Sequence, residues 1–229
     1  TMKHLLAVAT LSSMMMYHTG AQAGIVNGDF ASCDFSGWQQ DSDGFGPPGD
    51  TPDFTIANNG GNCSADIMVD DMTTASAMFA NTLYANLDLS ASDDEWLTLS
   101  FDWTFSGTDG DPDFGDYFSV YLSDGSGNPF GADGMPGFLV DPVSTYGNGS
   151  YSVGIDGALY NMSGWTLEFQ VFDAISPTDD PLFSVLNIDN VQLVAQSAEV
   201  SAPATGALLS LCVLVGACSR RKSLAAQEK

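Results

Sequence analysis

The chain has 229 residues, 29 of them acidic against five Lys or Arg, and a formal net charge of −24 at pH 7. No Lys, Arg or His occurs between Gly24 and Ser219. That stretch cannot neutralise a phosphate, which argues against nucleic acid, anionic lipid surfaces and phosphorylated ligands as partners. It also lacks the His and Lys of a conventional triad, a Schiff base or an imidazole zinc site.

At the N-terminus, Lys3 and His4 form a short basic region, Leu5 to Met16 an apolar one, and Ala21-Gln22-Ala23 a small-residue cleavage site. These are the parts of a secretory signal peptide. Residues 1–23 are therefore expected to direct export and to be removed by signal peptidase after Ala23. The apolar part is too short to read as a membrane span.

Residues 24–198 suffice for one domain with a proper core and are too few for two of ordinary size. Apolar and polar residues alternate from Trp96 to Phe105, and the same period of two recurs at Tyr117–Leu122, Tyr151–Ile155, Trp165–Val171 and Ile188–Leu193. Phe54–Ala57 and Leu83–Leu89 are weaker cases. The connectors 44–52, 107–115, 124–137 and 146–150 are rich in Gly, Pro, Asp and Asn, and no window carries a helical period. Eight to ten strands with such links predict an all-β domain, a β-sandwich jelly roll.

Cys33 and Cys63 are the cysteines of this exported stretch. In an oxidising compartment they are expected to form a disulfide, and closing a loop of about 30 residues contributes roughly 3.5 kcal/mol in the chain-entropy model. Two buried thiols are the alternative.

All but two of the 29 acidic residues, Glu199 and Glu228, lie in this uncompensated domain. Self-repulsion on that scale opposes compaction unless salt or bound cations relieve it. Bound Ca²⁺ is the expected structural cofactor, although adaptation to a salty environment would give the same composition. The densest cluster places Asp109, Asp111 and Asp113 at alternate positions, followed by Asp116. Alternate residues of a tight turn can direct their oxygens to one point, so these four are candidate Ca²⁺ ligands, with a solvated strand connector as the alternative. The sixth and twelfth positions of an EF-hand, Gly and Glu, are here Phe114 and Val120.

Only a carboxylate pair could support hydrolysis, as in a glycosidase, and no Asp or Glu is marked as a general acid. The domain is read as non-catalytic. Its tryptophans are the natural stacking groups for a sugar. Trp96 and Trp103 lie within the strongest strand pattern and read as core, whereas Trp38, after Gly37, and Trp165, at a strand start, are the ligand-binding candidates.

The tail, 199–229, begins with Val200-Ser201-Ala202-Pro203, continues as an apolar run from Ala204 to Cys218 and ends in Arg220-Arg221-Lys222. As a helix the run covers roughly 24 Å of a ~30 Å hydrocarbon core. The basic residues after it would orient it with residues before 200 outside. With a signal peptide at the other end, this order resembles the bacterial PEP-CTERM sorting signal, with Val-Ser-Ala-Pro where that family has Pro-Glu-Pro. The resemblance covers residues 200–222. It implies processing by an exosortase, transient anchoring in the inner membrane by the 204–218 helix, and release to the cell surface or the extracellular matrix.

A second resemblance joins the domain's ends. Val26-Asn27-Gly28-Asp29-Phe30, followed by Gly37-Trp38, and Ile188-Asp189-Asn190-Val191-Gln192-Leu193 resemble the first and last strands of the galactose-binding-like jelly roll found in many carbohydrate-binding modules. It implies a structural Ca²⁺ held by Asp29 and Asp189. The expected function is a secreted or surface-displayed matrix protein that binds extracellular polysaccharide. The alternative is an adhesive coat protein that self-associates through Ca²⁺ without a specific sugar site.

Overall fold

Alternation in the sequence becomes alternation of burial. In β5 (Glu95–Gly107), Leu97, Leu99, Phe101 and Phe105 are at most 1% exposed, while Trp96, Thr98, Ser100 and Asp102 point the other way. One face of such a strand packs and the other meets water, which is how an antiparallel sheet comes to lie over a core.

A computed structural model describes residues 24–44, 53–70, 79–91, 95–108, 115–174 and 183–197. The signal peptide 1–23, the candidate ligands Asp109, Asp111 and Asp113, and the tail from 198 onward lie outside the described residues. That tail includes Val200 to Pro203, the 204–218 run, Arg220, Arg221 and Lys222. Among the described residues no helix is long and apolar enough to cross a membrane.

Besides β5, the described strands are β1 (Trp38–Gly44), β2 (Phe54–Asn59), β3 (Asn62–Asp70), β4 (Phe79–Asn86), β6 (Tyr117–Ser123), β7 (Val140–Val143), β8 (Gly147–Gly154), β9 (Thr166–Phe172) and β10 (Phe183–Ser197). They form two five-stranded sheets, ordered β1-β4-β9-β6-β7 and β2-β3-β10-β5-β8. Every pairing in the first sheet is antiparallel, as are those of β3 with β2 and β10 and of β5 with β8. The chain passes repeatedly from one sheet to the other, so apart from β2–β3 and β6–β7 the sheet neighbours are not consecutive in the chain. The result is a β-sandwich with the interleaving of a jelly roll.

Three strands were not legible in the sequence. β1 is an edge strand of Gln, Asp and Ser in which, among the described side chains 38–42, Trp38 alone is buried. β7 is a short edge strand carrying Pro142, tolerable because it pairs on one side only. β3 alternates properly, with Cys63, Ala65, Ile67 and Val69 inside, but its small and acidic residues hide the pattern. β10 is longer than its predicted core and shifts its parity at Asn190, whose φ of 53° is left-handed. Leu186 and Ile188 face inward before that residue, and Val191 and Leu193 after it.

The Asn27-Gly28-Asp29-Phe30 segment is a cluster of turns and not the first strand expected from the resemblance. Asn27, Phe30 and Cys33 all have positive φ, near 50°, which no strand accommodates. The cluster docks on β10, where the Gly28 carbonyl accepts the Val191 amide at 2.8 Å. A Cβ on Gly28 would lie 2.0 Å from the Val191 oxygen, so glycine is required there. The Phe30 ring plugs the core beside Trp38, centroids 5.3 Å apart. A disulfide between Cys33 and Cys63, Cα atoms 5.3 Å apart, fastens the cluster to the start of β3.

Between the sheets an aromatic chain runs from Trp38 through Phe169 to Phe101 and Tyr151, with centroid separations of 6.0, 5.0 and 5.1 Å. Phe169 is fully buried and joins β1 of one sheet to β5 of the other. Burying a side chain of this kind contributes roughly 1.5–3 kcal/mol.

Candidate functional site

The two tryptophans expected to meet ligand are both buried. Trp38 is 6% exposed, with its indole Nε1 donating to the Asn27 carbonyl at 3.1 Å. It stands opposite Ala85, whose small side chain leaves room for the ring over the core. Trp165 is 5% exposed and meets the edge of Phe130 at 5.3 Å. Trp96, expected in the core, is 44% exposed and donates to Gln196 Oε1 at 2.9 Å, because its strand parity is opposite to that of Leu97's neighbours Leu99 and Phe101. Trp103 is partly buried against Phe118.

Asp29 is exposed, accepts the Ala31 amide at 3.2 Å and lines a cleft of about 480 Å³ with Gly24, Ile25, Asn27, Gly28 and Val191 to Val194. Asp189 lies on β10 and takes the Asn190 amide on Oδ1 and Asn62 Nδ2 on Oδ2. Each carboxylate is thus engaged locally. Among the described residues no group of three or more Asp, Glu, His or Cys converges as a metal cluster would. The described side chains around Asp29 and Asp189 do not by themselves make a calcium cage. Asp116 is 3% exposed and accepts the Ala174 amide on Oδ1 at 3.0 Å.

Stacking groups lie instead on the outward face of the first sheet. Inward-facing Leu83, Phe169 and Val120 fix the parity, so Tyr84, Glu168 and Tyr121 point outward. Cross-strand pairing aligns them in one row, Gln39–Tyr84–Glu168–Tyr121. The next row is polar, Asp41–Thr82–Gln170–Ser119, and the third holds Ala80–Phe172–Tyr117. Phe138 extends the first row, edge-on to Tyr121 at 5.9 Å. In the third, Tyr117 and Phe172 stack at 4.9 Å.

Two rows of rings therefore flank a row of hydroxyl and amide groups. Thr82 and Ser119 point outward yet are only 7% and 2% exposed, because the taller side chains on either side shield them. From Tyr117 to Tyr121 is about 13 Å along the strand, and from Tyr84 to Tyr121 about 10 Å across the sheet. Hydrogen bonds hold the polar groups in place: Tyr84 Oη to Gln39 Oε1 at 3.3 Å, Gln170 Nε2 to Thr82 Oγ1 at 3.2 Å, and Thr166 Oγ1 to Glu168 Oε1 at 2.8 Å. Burial pushes the Tyr117 phenol up, so it stays neutral through the physiological range.

Such a face can stack on the apolar side of a sugar ring while its amides, hydroxyls and Glu168 bond the hydroxyls. Sequence reasoning passed over it in favour of Trp. The signal was present, since Tyr117, Tyr121 and Phe172 sit at positions of strands whose opposite parity already supplies a full apolar face.

The outward face of the second sheet is a carboxylate and amide ladder. Asn187 Nδ2 donates to Ser64 Oγ at 2.8 Å and Asp66 Oδ1 at 2.6 Å. Asn190 Nδ2 donates to Asp102 Oδ2 at 2.8 Å, and Ser150 Oγ donates to Asp102 Oδ1. Burial raises the Asp66 pKa, opposed by its bonds to Asn187 and Thr55. The bonds from Ser150 and Asn190 lower that of Asp102.

The chain is thus an all-β sandwich with one aromatic and one acidic outer face. No family model and no curated protein matches its sequence. Among solved structures it is similar to the enzymatically active domain of tailspike protein 4 of Bacteriophage CBA120, at 13% identity and a TM-score of 0.41, over 74% of this chain and 21% of that one. It is similar to a cyclase from Fischerella sp. TAU at 15% identity and a TM-score of 0.41, over 78% and 98%. It is also similar to a carbohydrate-binding module that recognises mannan, at 16% identity and a TM-score of 0.39, over 74% and 95%.

Proposed function

We propose that the protein is a non-catalytic polysaccharide-binding module, exported through its signal peptide and displayed at the cell surface or in the extracellular matrix after processing of its tail. The observation that carries this reading is the outward face of the first sheet, where Tyr84, Tyr121, Tyr117 and Phe172 flank the polar row Thr82–Gln170–Ser119. Aromatic rings contribute stacking area at small entropic cost, and buried or shielded polar groups select by hydrogen bonding. With a net charge of −24 and no cationic side chain from Gly24 to Ser219, the ligand is a neutral polysaccharide and not a sulfated or uronic one. A structural divalent ion belongs to this reading as the relief of that charge, and exosortase and signal peptidase as its processing partners.

The test is titration of the exported chain with soluble neutral and anionic polysaccharides at matched ionic strength. Saturable binding to a neutral glycan, competed by its own oligosaccharides, is expected. Absence of binding to every glycan, with the fold verified, would overturn the reading and leave a self-associating coat protein.

A further inference from the structure

The aromatic platform has a corner. Phe138, which meets Tyr121 edge-on at 5.9 Å, is also a wall of a separate cleft of about 400 Å³, lined with it by Tyr151, Val153, Asp133 and Asp156. The cleft lies on the side of the sandwich where β7 is the edge of the first sheet and β8 the edge of the second. Tyr151 and Val153 keep the inward parity of β8 but are only half-buried, whereas Phe101 and Leu99, their partners one strand further in, are at most 1% exposed. An edge strand covered on one side leaves its inward residues partly open.

The segment between β6 and β7 crosses this side and is pinned to both sheets. Phe130 exchanges two backbone hydrogen bonds with Leu122 of β6, each at 2.9 Å, and the Asp156 amide, just past β8, donates to the Ala132 carbonyl at 2.8 Å. Held at these points the cleft is pre-formed, and its volume falls within the usual range of small-molecule sites, about 300–1,000 Å³. Its lining combines rings with carboxylates. Phe138 is 36% exposed, and Tyr151 is backed by Phe101 at 5.1 Å. Asp133 Oδ1 accepts the Met135 amide at 3.0 Å and Asp156 Oδ1 the Ala158 amide at 2.8 Å, which fixes the direction of both carboxylates while both residues stay exposed. Burial pushes the Tyr151 phenol up, so it stays neutral and keeps a proton to donate. Carboxylates accept strongly from hydroxyls and repel anions, and rings cover the apolar side of a sugar.

We propose that this cleft is a second subsite for the polysaccharide, taking a neutral sugar residue of a chain that lies along the Tyr84–Tyr121 row and turns at Phe138 toward the β8 edge. The inference rests on the glycan reading of that row. Continuity carries it: the row spans about 10 Å from Tyr84 to Tyr121, and Phe138 belongs to both surfaces. Asp133 and Asp156 then accept hydroxyls of the residue in the cleft, and the protein distinguishes long chains from short ones.

The test uses the exported chain, Gly24–Lys229 in mild detergent, with cello-, laminari-, manno- and xylo-oligosaccharides from disaccharide to hexasaccharide. Amide chemical shifts locate contact and calorimetry gives affinity. In the series that binds, the shortest oligomers are expected to shift amides of β4, β6 and β9 alone, and longer ones also those of Ala132, Asp133 and Tyr151 to Asp156. Affinity should rise with length until the cleft is filled. Asp133→Asn/Asp156→Asn is near-isosteric, retains an oxygen for each turn, and should weaken the long oligomers about five- to tenfold while leaving the shortest ones and the melting temperature unchanged. Shifts on the platform with no response in the cleft at any length, or a gain with length that Asp133→Asn/Asp156→Asn leaves intact, would overturn the subsite and leave the glycan reading standing. No binding of any oligosaccharide by the folded chain would overturn both.

Discussion

The two outer faces of the sandwich use the same alternating geometry for opposite chemistry. On the first sheet the outward positions of β4, β6 and β9 carry Tyr84, Tyr117, Tyr121 and Phe172 around hydroxyls and amides. On the second, β3, β5 and β10 present Asp66, Asp102 and Asp189, each already bonded to an Asn side chain. A carboxylate engaged by an amide is structurally occupied, whereas a ring whose face is open to water has free area to cover. The difference teaches that a carboxylate held by an amide and a ring at an outward position are different kinds of surface, and it is the reason the proposed recognition is assigned to the less acidic side.

The largest expected effect breaks both faces at once. Phe169 sits beneath them, in contact with Trp38 and Phe101, so Phe169→Ala should cost about 3–5 kcal/mol in chemical denaturation. Next comes the Cys33–Cys63 bond, which ties the turn cluster to the second sheet. Replacing both residues with Ser should cost about 3.5 kcal/mol and leave the first sheet's face intact. Sharpening the comparison, Tyr121→Ala should weaken glycan binding by about 1–2 kcal/mol, roughly five- to thirtyfold, with little change in melting temperature.

The smallest effect is on the acidic face and is read by pH. Burial raises the folded pKa of Asp66 above the ordinary aspartate value of 3.8, so its ionised form opposes folding. Stability should therefore rise as pH falls through that folded pKa toward 3.8. Asp102 is lowered, so its contribution is present above 3.8 and is lost as pH falls further through its folded pKa. Asp66→Asn should flatten the rise and Asp102→Asn the later fall, neither altering glycan affinity.

What the sequence made legible follows from which signals are local. The period of two in Trp96–Phe105 and Tyr117–Leu122 marks strands because one face of each is apolar throughout. β1 and β7 escape that logic because edge strands need little apolar surface. That Trp38 and Trp165 turn inward was not legible because ring size says nothing about direction, and direction is set by register with Ala85 and by packing on Phe130. Trp96 shows the same point in reverse. The aromatic platform is assembled across β4, β9 and β6, three strands far apart in the chain, so no single window contains it.

The most direct test is one calorimetric comparison with a soluble neutral polysaccharide that binds the parent chain. Tyr84→Ala/Tyr121→Ala is set against Asp66→Asn/Asp102→Asn, both verified as folded. Loss of binding in the tyrosine variant alone is expected, since the first sheet's face groups several rings around a polar row, whereas the described outward rings of the second sheet are isolated, as Trp96 is. Undiminished binding in the tyrosine variant, or loss in the aspartate variant alone, would contradict the assignment of recognition to the first sheet.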